Sequence, residues 1–181
     1  MKDRQGASGS LQPKYAIAVR SGLTCGIILM LCELGFSTVI YFLRPSLAGY
    51  LSSGDLSSVT PLVSGWLAFL FLILAICFAC GMLVAKGLAA FPVRNGEIAA
   101  LGAMAGALAE VLRSIVAVAT NFAISLLLPV ADTSALGAAL DNAGFRLLCG
   151  LPLFVLLAAA VAGMSAYAFS LIFFRPENTP G

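Results

Sequence analysis

The chain has 181 residues, 61% of them apolar and only 10% charged, and its mean hydropathy is +1.04. About a quarter of the residues in a soluble domain are charged, so this composition excludes an ordinary water-soluble fold. The formal net charge is +2 with no histidine, and no basic cluster accompanies a soluble domain, which argues against nucleic-acid binding.

In chain order, Met1 to Ser10 is polar and glycine-rich, and residues 1–14 are read as a disordered cytoplasmic tail. Four apolar runs follow, at about 16–43, 62–85, 98–128 and 147–174. Each exceeds the roughly 20 residues that a helix needs to cross a bilayer core. None alternates like a barrel strand, and an unpaired amide in lipid is costly, so helices are the expected spanning element. The predicted fold is all-α: a four-transmembrane-helix bundle over 15–176, with a short tail at 177–181. A secretory signal competes for the first run, because basic residues precede it and Ser46-Leu47-Ala48 loosely fits a cleavage site. A signal's apolar core usually spans about 7–15 residues. This one runs about 21, from Leu23 to Leu43, which predicts a retained anchor.

Lys2, Arg4, Lys14, Arg20, Lys86, Arg94 and Arg175 fall on one side of these spans, against Arg44 and Arg146 on the other. The positive-inside rule then puts both termini in the cytoplasm, as in a multi-pass protein of a plasma (inner) membrane. Each span is expected to end at a proline: Pro45, Pro92, Pro129 and Pro176. The spacing is 47 residues from Pro45 to Pro92 and again from Pro129 to Pro176, so two helical hairpins are offset by 84. Such an offset suits a parallel repeat, although identity is sparse (Gly22 with Gly106, Leu56 with Leu140, Ala75 with Ala159). Arg44 to Pro61 reads as a polar loop. Pro129 to Gly144 carries Asp132 and Asp141 around Ser134 to Leu140, which suits a short surface helix capped by Thr133 or Ser134.

Helical spacing organises the scattered polar residues. In the first span Gly22, Gly26, Leu29, Glu33 and Ser37 share a face, and in the third Gly102, Gly106, Glu110, Arg113, Ala117 and Asn121 do. Small residues let helix backbones approach closely in lipid, so Gly22, Gly26, Gly102 and Gly106 predict that helices one and three pack together. Ala68, Cys77, Gly81 and Ala85, with Ala159, Gly163 and Ser170, offer further small-residue contacts on helices two and four. Glu33 is 13 residues beyond Arg20, and Arg113 is 16 beyond Glu97, a depth mismatch of about 4 to 5 Å that an arginine side chain spans. Counted back from the outer prolines, the mismatch is roughly 6 Å in the other direction. The expected site is a buried cluster in which Arg113 pairs with Glu33 and, at i to i+3, with Glu110, with Asn121 and Ser37 as extensions. Such a cluster serves either to hold helices together or to bind and exchange a proton or cation.

The absence of histidine removes the commonest metal ligand and the usual general base near neutral pH. Cys77 and Cys80 form a CxxC inside an apolar run, and Cys25, Cys32 and Cys149 have no matching pair spacing. They are read as packing residues, with no metal, cofactor or disulfide framework implied. Four-helix quinone-linked thiol oxidoreductases work through cysteine pairs near the membrane surface, and no pair here sits in an exported loop. Small multidrug transporters also have four spans and a glutamate in the first, but their chains are much shorter. An arginine beside the acid also opposes a cationic ligand. Phosphate-binding loops, dinucleotide fingerprints, nucleophile elbows and zinc-protease motifs are missing. The reading is a non-enzymatic membrane protein of structural, accessory or interaction role, partnered by lipid, by other membrane subunits or by a second copy. Its alternative is a small transporter or channel component using Glu33, Glu110 and Arg113 for proton or ion coupling.

Overall fold

A computed structural model describes residues 11–53, 60–127, 144 and 146–173, and among these every regular element is helical. Helix α1 spans Leu11–Ser53, α2 spans Thr60–Leu88 and α3 spans Asn95–Leu127. A single π-helical turn, Arg146–Gly150, then leads into α4, Leu151–Phe173. All four helices are long and apolar enough to cross a bilayer, which is compatible with a multi-pass integral membrane protein. Their outward surfaces fit that solvent: Phe42, Phe71, Leu148, Leu156 and Met164 all stand exposed. In water such a surface would be an association liability.

Helix α3 is the centre of the bundle. It packs most extensively on α4 and α1, while α2 packs chiefly on α4 and closes the ring more lightly against α1. Neighbouring residues give the directions. Gly22 and Gly26 on α1 meet Ala105 and Ala109 on α3, in parallel register, whereas Gly102 and Gly106 meet Ala166, Ala162 and Ala158 in antiparallel register. Lys14 reaches Glu97 at 3.5 Å and the Pro92 carbonyl at 3.4 Å. The start of α1 and the α2–α3 connection therefore share one end of the molecule.

Proline punctuation behaves differently from expectation. Helix α1 runs through Pro45 to Ser53, and it is already helical from Leu11, inside the stretch read as a tail. Pro45 removes one amide from the helical ladder, yet membrane helices tolerate proline where neighbouring groups take up the freed carbonyl. The apolar pattern also continues past it, through Leu47, Ala48, Tyr50 and Leu51. Much of the expected polar loop from Arg44 to Pro61 is therefore helix. Pro61 is the second residue of α2, a first-turn position where a missing N–H costs little, and Pro152 is the second residue of α4, directly after the π-helical turn. Among the described residues, Pro92, in the connection after α2, follows a helix end as expected. Pro129, Pro176, Asp132, Asp141 and the surface helix expected over Ser134 to Leu140 lie outside the described residues.

The glycine faces also pair differently. The α1 glycines pack on the Ala105/Ala109 row of α3, and the α3 glycines face α4 rather than α1. Adjacent residues on a helix are about 100° apart, so two rows of small residues one position apart serve two different neighbours. Ala103 and Ala99 of α3 receive Gly163, and Gly81 of α2 lies directly over the Ala162 carbonyl of α4. Ser165 donates to the Phe78 carbonyl across the same α2–α4 seam. Ala68 is exposed and takes no part in these contacts. The core is accordingly small-residue rich, with Ala105, Ala109, Cys77, Cys80 and Leu29 almost wholly enclosed. Close backbone approach replaces the hydrophobic drive that lipid does not supply.

Candidate functional site

Helix periodicity alone puts Glu110, Arg113 and Ser114 on neighbouring positions of α3, and the parallel register with α1 brings Glu33 opposite them. All four are buried, Glu110 to 1% and Glu33 to 4% exposure. Arg113 Nε donates to Glu110 Oε2 at 2.9 Å and to Oε1 at 3.1 Å, and Nη2 donates to Oε1 at 2.6 Å. Arg113 Nη1 donates to Glu33 Oε2 across the α1–α3 seam. Ser114 Oγ donates to Glu110 Oε1 at 3.3 Å. The guanidinium also lies 5.7 Å from the Phe154 ring centroid on α4, within cation–π range.

The guanidinium is used asymmetrically. Its Nε/Nη2 edge is committed to Glu110 on its own helix, and one outer nitrogen reaches Glu33. A charged residue at the centre of a span costs about 2.5–3.5 kcal/mol on insertion scales, and this fork-shaped pairing is the arrangement that offsets such a cost. Arg113 belongs to both carboxylates, while Glu33 accepts only the bond at Oε2 among the described residues.

Asn121 lies eight residues beyond Arg113, about 12 Å along the axis at helical rise. Its amide turns back to donate to the Ala117 carbonyl at 2.6 Å. Ser37 makes no hydrogen bond to the triad among the described residues. The structure thus brings together Glu33, Glu110 and Arg113 from the expected cluster and adds Ser114, which the sequence reading missed although its i to i+4 spacing from Glu110 could have pointed to it. Phe154 carried no such signal, because a ring one helix away enters only through the bundle's packing.

A cavity of about 550 Å³ opens beside the triad, between the first half of α2, α3 and the start of α4. Trp66, Leu70, Val118 and Phe154 are among the apolar residues that line it, and Glu33, Arg113 and Ser114 form its polar wall. Phe36 stacks on Phe69 at 4.1 Å and meets Trp66 edge-on at 5.3 Å, which fixes the aromatic side of the cavity. The π-helical turn ending at Gly150 borders it too, and such wide turns concentrate at functional sites. Sequence reasoning missed this cavity, since its walls come from all four helices with no shared motif.

The five cysteines are free thiols; Cys25, Cys77 and Cys80 are buried and Cys149 is exposed. Among the described residues no group of three or more Cys, Asp, Glu or His side chains is placed to hold a metal. No protein-family model matches the chain, and no curated protein or solved structure matches it either.

Proposed function

We propose that this chain is a small non-enzymatic membrane protein with a structural, accessory or interaction role, in which the Glu33–Arg113–Glu110 triad ties α1 to α3. The observation that carries this reading is the buried bridge itself: one guanidinium bonded at once to its own helix and to its neighbour. The basic residues Lys14, Lys86 and Arg94 near one end of the bundle support cytoplasmic termini in a plasma (inner) membrane. The apolar exterior suits lipid and other membrane subunits or a second copy as partners. A double-mutant cycle on Glu33→Gln and Arg113→Gln in one detergent tests the triad's role. Coupling well above the additivity error of about 0.3–0.5 kcal/mol supports a structural tie, and additive losses overturn it.

A second reading is favoured by one observation, the cavity that opens onto Glu33 and Arg113. It makes the chain a small transporter or channel component that couples a proton or ion through the triad. Its expected signature is a pH-dependent flux in proteoliposomes that Glu33→Gln abolishes, and flux insensitive to that substitution would rule the coupling out.

A further inference from the structure

We propose that the cavity between α2, α3 and α4 is a binding site for an amphiphile with an apolar body and a single hydrogen-bond-donating ammonium head, and that Glu33 is the group that receives the head. The inference goes beyond the structural reading above, because it rests on the triad's geometry and not on the triad's contribution to stability.

Size and lining define the ligand's body. The cavity holds about 550 Å³, inside the range of about 300–1,000 Å³ of small-molecule sites, which are apolar with a few convergent polar groups. Trp66, Leu70, Val118 and Phe154 supply the apolar wall. Walls of this kind suit an apolar chain or ring.

Charge defines the head. Two carboxylates and one guanidinium sum to −1 when all are ionised, and that surplus is unevenly placed. Glu110 is wholly engaged by the Nε/Nη2 edge of Arg113 and by Ser114, so Arg113 is neutralised on its own helix. Glu33 accepts only the Nη1 bond, its Oε1 has no hydrogen-bond donor among the described residues, and it lines the cavity. Sequence counting set Arg113 against the acid and so against a cation; the observed pairing leaves Glu33 as the group with capacity to spare. An ammonium N–H offered to Oε1 forms a charge-assisted hydrogen bond in a poorly hydrated site, where such bonds are strong. Trp66 and Phe154 line the same space, and aromatic linings suit a cation.

The sole tryptophan of the chain, Trp66, lines the cavity and reports on its occupancy. The test follows its fluorescence in the full chain, reconstituted in lipid nanodiscs, against four probes with one body: 4-phenylbutylammonium, its N-trimethylated form, 4-phenylbutanol and 4-phenylbutyrate. The expected result is a saturable change with the primary ammonium, and binding at least about tenfold weaker for the alcohol and the trimethylated form, which lack the charge or the N–H donor. Glu33→Gln is expected to bring the ammonium down to the level of the alcohol. Gly150→Leu serves as a second variant, for the case that Glu33→Gln does not fold. A Cβ at Gly150 meets no heavy atom within 4 Å, and the position borders the cavity outside the triad's hydrogen bonds, so the added side chain should weaken all probes together. Equal, unsaturable responses to all four probes would mean partitioning into lipid and would overturn the proposal. Tighter binding of the carboxylate would make Arg113 the receiving group and overturn it as well, and a response that survives Gly150→Leu would place the ligand elsewhere. Failure of the stability cycle leaves each of these outcomes readable, so the two readings fall separately.

Discussion

Arg113→Gln is expected to destabilise the purified chain far more than Glu33→Gln or Glu110→Gln, measured as thermal unfolding in one detergent. Removing either carboxylate leaves Arg113 balanced by the other, and the glutamine keeps an oxygen that still accepts from the guanidinium. The loss should then stay within about 1.5–3 kcal/mol, the worth of a hydrogen bond to a charged group. Removing Arg113 leaves Glu33 and Glu110 both buried and without an ion-pair partner among the described residues. An uncompensated buried charge costs about 3–5 kcal/mol. The ordering follows from the pairing geometry, since a guanidinium shared by two acids is the one member without a substitute. A triple replacement, Glu33→Gln with Glu110→Gln and Arg113→Met, should recover most of the loss, because apolar or neutral replacements of a buried charge group are often neutral or stabilising. Equal effects from the three single substitutions would show that the triad does not behave as a unit.

The second large effect is a reversal of the usual glycine rule. In an exposed helix interior, alanine is favoured over glycine by about 1 kcal/mol. Gly35 meets that description, with no heavy atom within 4 Å of an added Cβ, and Gly35→Ala should stabilise or leave stability unchanged. Gly106→Ala should destabilise instead. An added Cβ there would sit 2.5 Å from the Ala158 carbonyl oxygen and 2.6 Å from the Ala162 Cβ. The first of these is backbone, so relief requires α3 and α4 to move apart rather than one side chain to rotate. Gly106→Leu should approach the upper end of the about 1–3 kcal/mol typical of overpacking. The readout is the same unfolding experiment, with Gly35 as the internal control. A stabilising Gly106→Ala would mean that the two helices are farther apart than the structure places them.

These two predictions divide differently between sequence and structure. Glu110 and Arg113 are neighbours on any α-helix at i and i+3, so two of the triad's three members were legible before any tertiary information. Glu33 joined them only through depth counting, and the two available counts differed in sign because α3 is longer than a straight crossing needs. The parallel register that sets Gly22 on Ala105 decides the matter. The glycine steps were legible as close-contact surfaces, but not as to which helix each would meet. The pattern points Gly102 and Gly106 at helix one, yet they pack on α4, since Ala105 and Ala109, one position away, offer α1 an equally small row. Nothing in a one-dimensional pattern separates two faces that are both made of small residues.

By itself the sequence determined the all-helical class, the four helices long and apolar enough to cross a bilayer and the presence of ionisable groups within them. Those follow from composition and period, which act locally along each helix. The order of helices around the bundle, the register that brings Glu33 to Arg113, the choice of partner for each glycine row and the cavity beside Glu33 were decided only by the tertiary structure. The physical reason is shared: each depends on the relative rotation and depth of separate helices. In a bundle held by close backbone approach, shape complementarity summed over whole faces sets these, and no single motif encodes it.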